Sequence, residues 1–251
     1  MDRILHQKSS GFIMLVAMLA SVLLVGLLAS GVNLTSHVST ITGAFFTLLT
    51  DSAGKGFIVS LAVFSLLALR LGISREKLFS RAIQLAVILV IGFAGKTGLK
   101  HLTESPRPYT AFLANELVIP QPAHFYQLAK AQKKQVIESV EGKVSSWRIH
   151  SWLKGMNYSF PSGHTIFAAI CIALFGGLFL EYKRYLMAGG ILLWATGVEY
   201  SRIWMGMHRV EDLLGSVLFV AAVYFLMPSF SKIALKLLAK LPAKCPVACR
   251  K

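Results

Sequence analysis

The sequence predicts an all-α membrane protein: a bundle of six transmembrane helices with a small helical extracytoplasmic insert between the third and the fourth. Three observations lead there. The composition is 55% hydrophobic and 15% charged, with a mean hydropathy of +0.63, whereas soluble domains carry about 25% charged residues. Apolar runs recur along the whole of the 251 residues, so a single membrane domain over 1–251 is simpler than a soluble domain with an anchor. Lys and Arg also alternate between successive loops as the positive-inside rule requires.

A helix needs about 20 apolar residues to cross the hydrocarbon layer. The first candidate is 11–30, GFIMLVAMLASVLLVGLLAS, preceded by Arg3 and Lys8 and followed by small residues, as in a signal peptide. Its apolar part is longer than a signal core of about 7–15 residues, so it reads as a retained helix. The other spans are expected near 57–71, 82–99, 160–180, 186–204 and 213–227. Arg3 and Lys8, then Arg70, Arg75, Lys77 and Arg81, then Lys183 and Arg184, and finally the basic tail fall on one side. Both termini are therefore expected in the cytoplasm, and the insert at 101–159 outside. Within it, HFYQLAKAQKKQVIESVEGK places Phe125, Leu128, Val136, Ile137, Val140 and Val144 at helical spacing, which predicts one amphipathic helix. Trp147 and Trp152 mark the membrane interface or pack the insert onto the bundle.

The net charge of +15 does not point to nucleic acid, because the cations are spread between apolar runs without a recognition motif. Lys232, Lys236, Lys240, Lys244, Arg250 and Lys251 form a polybasic tail suited to acidic headgroups, at roughly 1 kcal/mol per charge. Cys171 reads as a small core residue. Cys245 and Cys249 lie in the tail, with no histidine or further cysteine nearby to make a metal site.

Given this topology, three polar groups fall at the outer membrane face. KHLTESPRPY supplies Lys100 and Arg107; alone these would read as snorkelling cations at a helix end. Lys96, one turn earlier, is left outside the site. FPSGHT supplies Ser162, Gly163 and His164 at the start of a span. Pro161 suits a helix start, and backbone N–H groups at the positive end of a helix bind anions. SRIWMGMHRVED supplies Arg202, His208 and Asp212, with the last two at i and i+4, where they meet on one helical face. A carboxylate on one imidazole nitrogen leaves the other free to attack. Cations, helix-end donors and paired histidines are what phosphoryl transfer needs, since its catalysis is largely positioning and charge stabilisation. No metal-ligand spacing accompanies them, so the cations stand where a metal would.

Lys-six residues-Arg-Pro, Pro-Ser-Gly-His and Ser-Arg-five residues-His-three residues-Asp resemble the three signatures of the type 2 phosphatidic acid phosphatase family, in order and without departure. The likeness extends over nearly the whole chain, through IPQPAHFYQLAKA and LLWATGVEYSRIWMGMH, to a bacterial subgroup acting on phosphatidylglycerophosphate. The resemblance implies a cofactor-free and metal-free lipid phosphatase of the bacterial inner membrane, with phospholipid and polyprenyl phosphates as substrates. It implies His208 as nucleophile, Asp212 as its orienting carboxylate and His164 as general acid. Lys100, Arg107, Ser162, Gly163 and Arg202 are then expected to bind phosphate. A lipid or anion transporter and a lipid phosphotransferase are the competing classes; the clustering of charge at one face rather than the midplane weighs against the transporter.

Overall fold

The computed structural model describes residues 2–240, with side chains from residue 8 onward. Lys244, Cys245, Cys249, Arg250, Lys251 and the side chain of Arg3 lie outside that description. Apart from one isolated β-bridge between Glu141 and Val144, the regular structure among the described residues is helical.

Helix α1 (Asp2–Leu28) runs along the bundle, with Leu15, Met18 and Val22 buried and Val16, Leu23 and Leu27 exposed. Such a split is what a helix shows when one side meets protein and the other lipid. Helices α2 (Thr40–Ser52) and α3 (Phe57–Leu69) follow, bent by 70° at the break between them. Ser39 opens α2 by accepting the Thr42 amide. Helix α4 (Arg75–Thr103) is capped by Ser74 and ends at Glu104, whose φ of 44° turns the chain away. Four short helices come next: α5 (Pro108–Asn115), α6 (His124–Gln127), α7 (Lys130–Glu138) and α8 (Ser146–Lys154). Helix α9 (Gly163–Cys171), a π turn at Ile172–Gly176 and α10 (Gly177–Glu181) then form one continuous segment. Helices α11 (Tyr185–Trp204), α12 (Val210–Leu226) and α13 (Ser231–Leu238) complete the chain.

The segment Gly163–Glu181 is the centre of the bundle: 83% of its apolar window is buried, against 33% for α1 and 22% for α4. Around it stand α1, α4, α11 and α12. In lipid the hydrophobic effect gives little reason for helices to associate, so close packing of small residues matters more. A Cβ added at Gly177 would stand 2.7 Å from the Cα of Gly11, so the two backbones meet without side chains between them.

Among the described residues three helices are long and apolar enough to cross a membrane, or up to five if each bent pair counts as one. The sequence reading expected six. The run at 57–71 is the clearest departure: α3 has 13 residues, about 20 Å of helix, short of the roughly 30 Å needed. Helix α11 is long enough at 20 residues, but Glu199 and Arg202 lower its hydropathy.

The segment between α4 and α9 has its own apolar core of Tyr109, Leu113, Phe125, Ile137 and Trp152, continuous with Trp204, Met205 and Met207 after α11. The single amphipathic helix expected here is broken at Leu128 into α6 and α7, and Val140 and Val144 lie beyond α7. Spacing alone could not reveal the break, because all six apolar positions still face this core. Trp152 is wholly buried and stacks on Tyr109, while Trp147 packs against Gly43 of α2. Both tryptophans therefore pack the insert onto the bundle.

Candidate active site

One end of the bundle gathers the ends of five elements. Lys100 lies in the last turn of α4, Arg107 immediately precedes α5, Gly163 and His164 open α9, and Arg202 closes α11. His208 sits in the short turn to α12, and Asp212 in the first turn of that helix. Gly206, at a φ of +67°, allows the turn.

His208 is the most constrained of these groups. Its Nδ1 lies 3.4 Å from Asp212 Oδ2, and its Nε2 lies 3.3 Å from Arg107 Nη1. Ser159 Oγ donates to the same Asp212 oxygen at 2.5 Å, and the Arg209 amide donates to it at 2.9 Å. A proton on Nδ1 suits the carboxylate and leaves a lone pair on Nε2 toward the cations. Burial first, then Arg107, Arg202 and Lys100, hold the His208 ring well below the usual histidine range. That favours the neutral ring, the form in which an imidazole nitrogen can attack.

The cations are fixed as well. Arg107 donates through Nε to Asn157 O and through Nη2 to Asn157 Oδ1, both at 2.7 Å, and through Nη1 to Met207 O at 2.9 Å. Lys100 donates to the carbonyls of Tyr158 and Ser159. Arg202 donates to Thr50 Oγ1 at 2.6 Å, and its Nε is buried without a partner. Each cation stands in the electrostatic field of others in the group, and His164 feels Arg202, His208, Arg107 and Lys96. Buried Lys100, Arg107 and Arg202 outnumber the carboxylates that act on them, Asp212 and Asp51, and this balance favours a multiply charged anion.

The helix-end donors differ from expectation in one respect. The Ser162 amide donates to Ser216 Oγ at 2.9 Å, while the Ser162 hydroxyl caps α9 by accepting from Thr165. That amide is thus committed within the protein. Gly163 lets the stem of Lys96 pass close, since a Cβ there would stand 2.8 Å from Lys96 Cδ. Lys96, set aside on sequence grounds, consequently stands beside the site.

Sequence reasoning missed Ser159, Asn157, Thr50 and Ser216. Ser216 alone carried a signal, lying one turn after Asp212 and donating to its carbonyl. The others come from loops and from α2, with no spacing that links them to a motif. Also unanticipated is the grip of α8 on the turn after α11. Arg148 donates to Trp204 O at 3.1 Å and to Leu34 O at 2.8 Å, and Trp152 Nε1 donates to Met205 O at 2.7 Å. Arg148→Ala should release this turn and misplace Arg202 and His208, lowering kcat by about 10²-fold with KM nearly constant. Arg148→Lys should restore part of the loss. Steady-state kinetics check this, and a kcat within threefold of wild type for the alanine variant would show that the turn holds itself.

Residues 81–234 match the PAP2 superfamily, and that range contains all eight residues singled out in the sequence. The chain belongs to the PAP2 superfamily. Among curated relatives, phosphatidylglycerophosphatase B of Haemophilus influenzae is 30% identical over 194 residues, covering 74% of this chain and 80% of that protein. The Escherichia coli K12 protein of the same name is 34% identical over 137 residues, covering 53% of this chain and 54% of its own length. The Shigella flexneri protein matches to the same extent. PAP2 membership and these relatives together support lipid phosphatase activity for this chain.

Proposed function

We propose that this chain, as one catalytic domain, removes the terminal phosphate of phosphatidylglycerophosphate to leave phosphatidylglycerol. It also acts on undecaprenyl pyrophosphate, phosphatidate and lysophosphatidate. The observation that carries the reading is His208, held at Nδ1 by Asp212 with Nε2 turned to Arg107. In the first step the Nε2 lone pair attacks phosphorus and the bond to the lipid oxygen breaks. His164 gives its proton to that oxygen. Water then attacks the phosphohistidine, His164 takes a proton from it, and the P–N bond breaks to release phosphate. Lys100, Arg107, Arg202 and the Gly163 amide stabilise the charge on the transferring group. Arginine forks suit phosphate oxygens.

The test is phosphate release by the purified protein in detergent, compared over these four lipids with and without a chelator. Release from phosphatidylglycerophosphate, undiminished by chelation, is the expected result. No release from any of them would sink the reading, and release only with added divalent ions would overturn its metal-free form.

The depressed His208 also sets a pH dependence. Only the neutral His208 ring attacks while His164 must carry a proton, so the acid limb of kcat/KM should have its midpoint below about 6.5, and activity should fall again where His164 loses its proton. An acid limb centred above that value in a pH–rate profile would contradict the assignment.

The proposed setting is the bacterial inner membrane, with both termini cytoplasmic and the site facing the periplasm. Leu117, 91% exposed on the insert, offers the check. A Leu117→Cys variant in spheroplasts should react with an impermeant thiol reagent, and reaction only after lysis would invert the orientation.

A further inference from the structure

At the opposite end of the bundle lies a cavity of about 230 Å³ whose lining, among the described residues, is all polar. It opens between the start of α4, the start of α1 and the break between α12 and α13. From Arg81 to Lys100, α4 rises about 28 Å, so roughly the hydrocarbon thickness separates this cavity from the candidate active site. The two cannot share a ligand headgroup.

Three of the lining residues are cations, Lys8, Lys77 and Arg81, against one carboxylate, Glu76. Glu181, outside the lining, pairs with Lys77 at 2.6 Å and stands 3.9 Å from Arg81, which also donates to Gln84 at 3.1 Å. Lys8 differs. The residue is 9% exposed; its ammonium donates to the Phe225 carbonyl at 2.8 Å and lies 6.0 Å from the centre of the Tyr224 ring, and among the described residues it makes no ion pair. A carbonyl and a ring face offset only part of the cost of burying an ammonium. An anion in the cavity would offset that cost.

The setting points to where the anion comes from. Helix α13 bends 67° away from α12, exposing Ile233, Leu235 and Leu237 beside Lys232 and Lys236. An apolar face beside cations is the pattern of a helix lying in the headgroup plane. Phe225 and Leu226, next to the cavity at the end of α12, are exposed to where acyl chains would run. The volume is below the usual range of about 300–1,000 Å³ for whole ligands, and so suits a headgroup alone.

We propose that this cavity binds the phosphate of an anionic lipid headgroup in the leaflet opposite the candidate active site, with Lys8 and Arg81 as its counter-charges. Binding there would anchor α1 to the α12–α13 break independently of catalysis. Delipidated full-length protein in detergent, titrated with dioleoyl phosphatidylglycerol, dioleoyl phosphatidylcholine or inorganic phosphate, tests it by thermal unfolding. Phosphatidylglycerol should raise Tm by roughly 5 °C at saturation, and phosphatidylcholine should not. The rise should vanish in Lys8→Gln/Arg81→Gln and persist in Arg202→Ala. Should the double variant fail to fold, Ser229→Glu, at an exposed lining position, should abolish the rise by placing a carboxylate in the cavity. An equal rise with inorganic phosphate, lost in the same variants, would overturn the lipid as source. A rise that survives in the cavity variants, or disappears in Arg202→Ala, would overturn the site.

Discussion

Replacing His208 with alanine should lower turnover by about 10⁴-fold or more, because it removes the atom proposed to accept the phosphoryl group. The magnitude follows from the isolation of the Nε2 position. Arg107 donates to three acceptors besides facing His208, and Lys100 holds two backbone carbonyls. Arg107 has no lone pair to offer as a substitute nucleophile, and Lys100 is tied to two backbone carbonyls. What remains after the change is charge stabilisation of a direct attack by water. Wild-type protein mixed with labelled lipid phosphate and quenched in alkaline detergent, where the P–N bond survives, should carry label that the alanine variant lacks. Near-normal turnover in His208→Ala would refute the nucleophile.

Asp212→Asn is expected to cost about 10³–10⁴-fold in kcat with little change in KM, as the corresponding change does in a serine-protease triad. Here the physical reason is visible at one oxygen. Ser159 Oγ, the Arg209 amide and His208 Nδ1 all converge on Asp212 Oδ2. An amide oxygen can accept from these donors but has no charge to balance the imidazolium as the ring takes on phosphate. If the amide turns its NH₂ toward Nδ1, the ring must carry its proton on Nε2, which removes the attacking lone pair. Asp212 is one turn from His208 and almost wholly buried, so water cannot stand in for the lost carboxylate. Activity within tenfold of wild type would show that ring orientation depends on something else, with Ser159 and the 3.3 Å contact to its hydroxyl the first suspect.

Much of the site was legible because three short motifs each keep their polar residues close in sequence. The His208 and Asp212 pair required only helical spacing, and Arg202 only its position at the end of an apolar run. Ser159 and Asn157 were not legible, since they lie in a polar loop with no periodicity. Thr50 was hidden for another reason: the sequence showed a single span at 57–71, and the bend that brings α2 against α11 left no signal in hydropathy.

Hydrophobic patterning and local spacing, by themselves, determined that this chain is helical with several apolar helices, and which histidines, arginines and carboxylate are the candidates for its chemistry. Both are local properties, set by one stretch of chain. Tertiary structure alone decided that Arg107 and Lys100 are tied to backbone carbonyls more than forty residues away, and that the Ser162 amide is occupied by Ser216. It also decided that Arg148 and Trp152 hold the turn carrying His208. Hydrogen bonds between distant segments depend on how helices pack, and that packing turns on contacts such as Gly11 against Gly177 that no periodicity encodes.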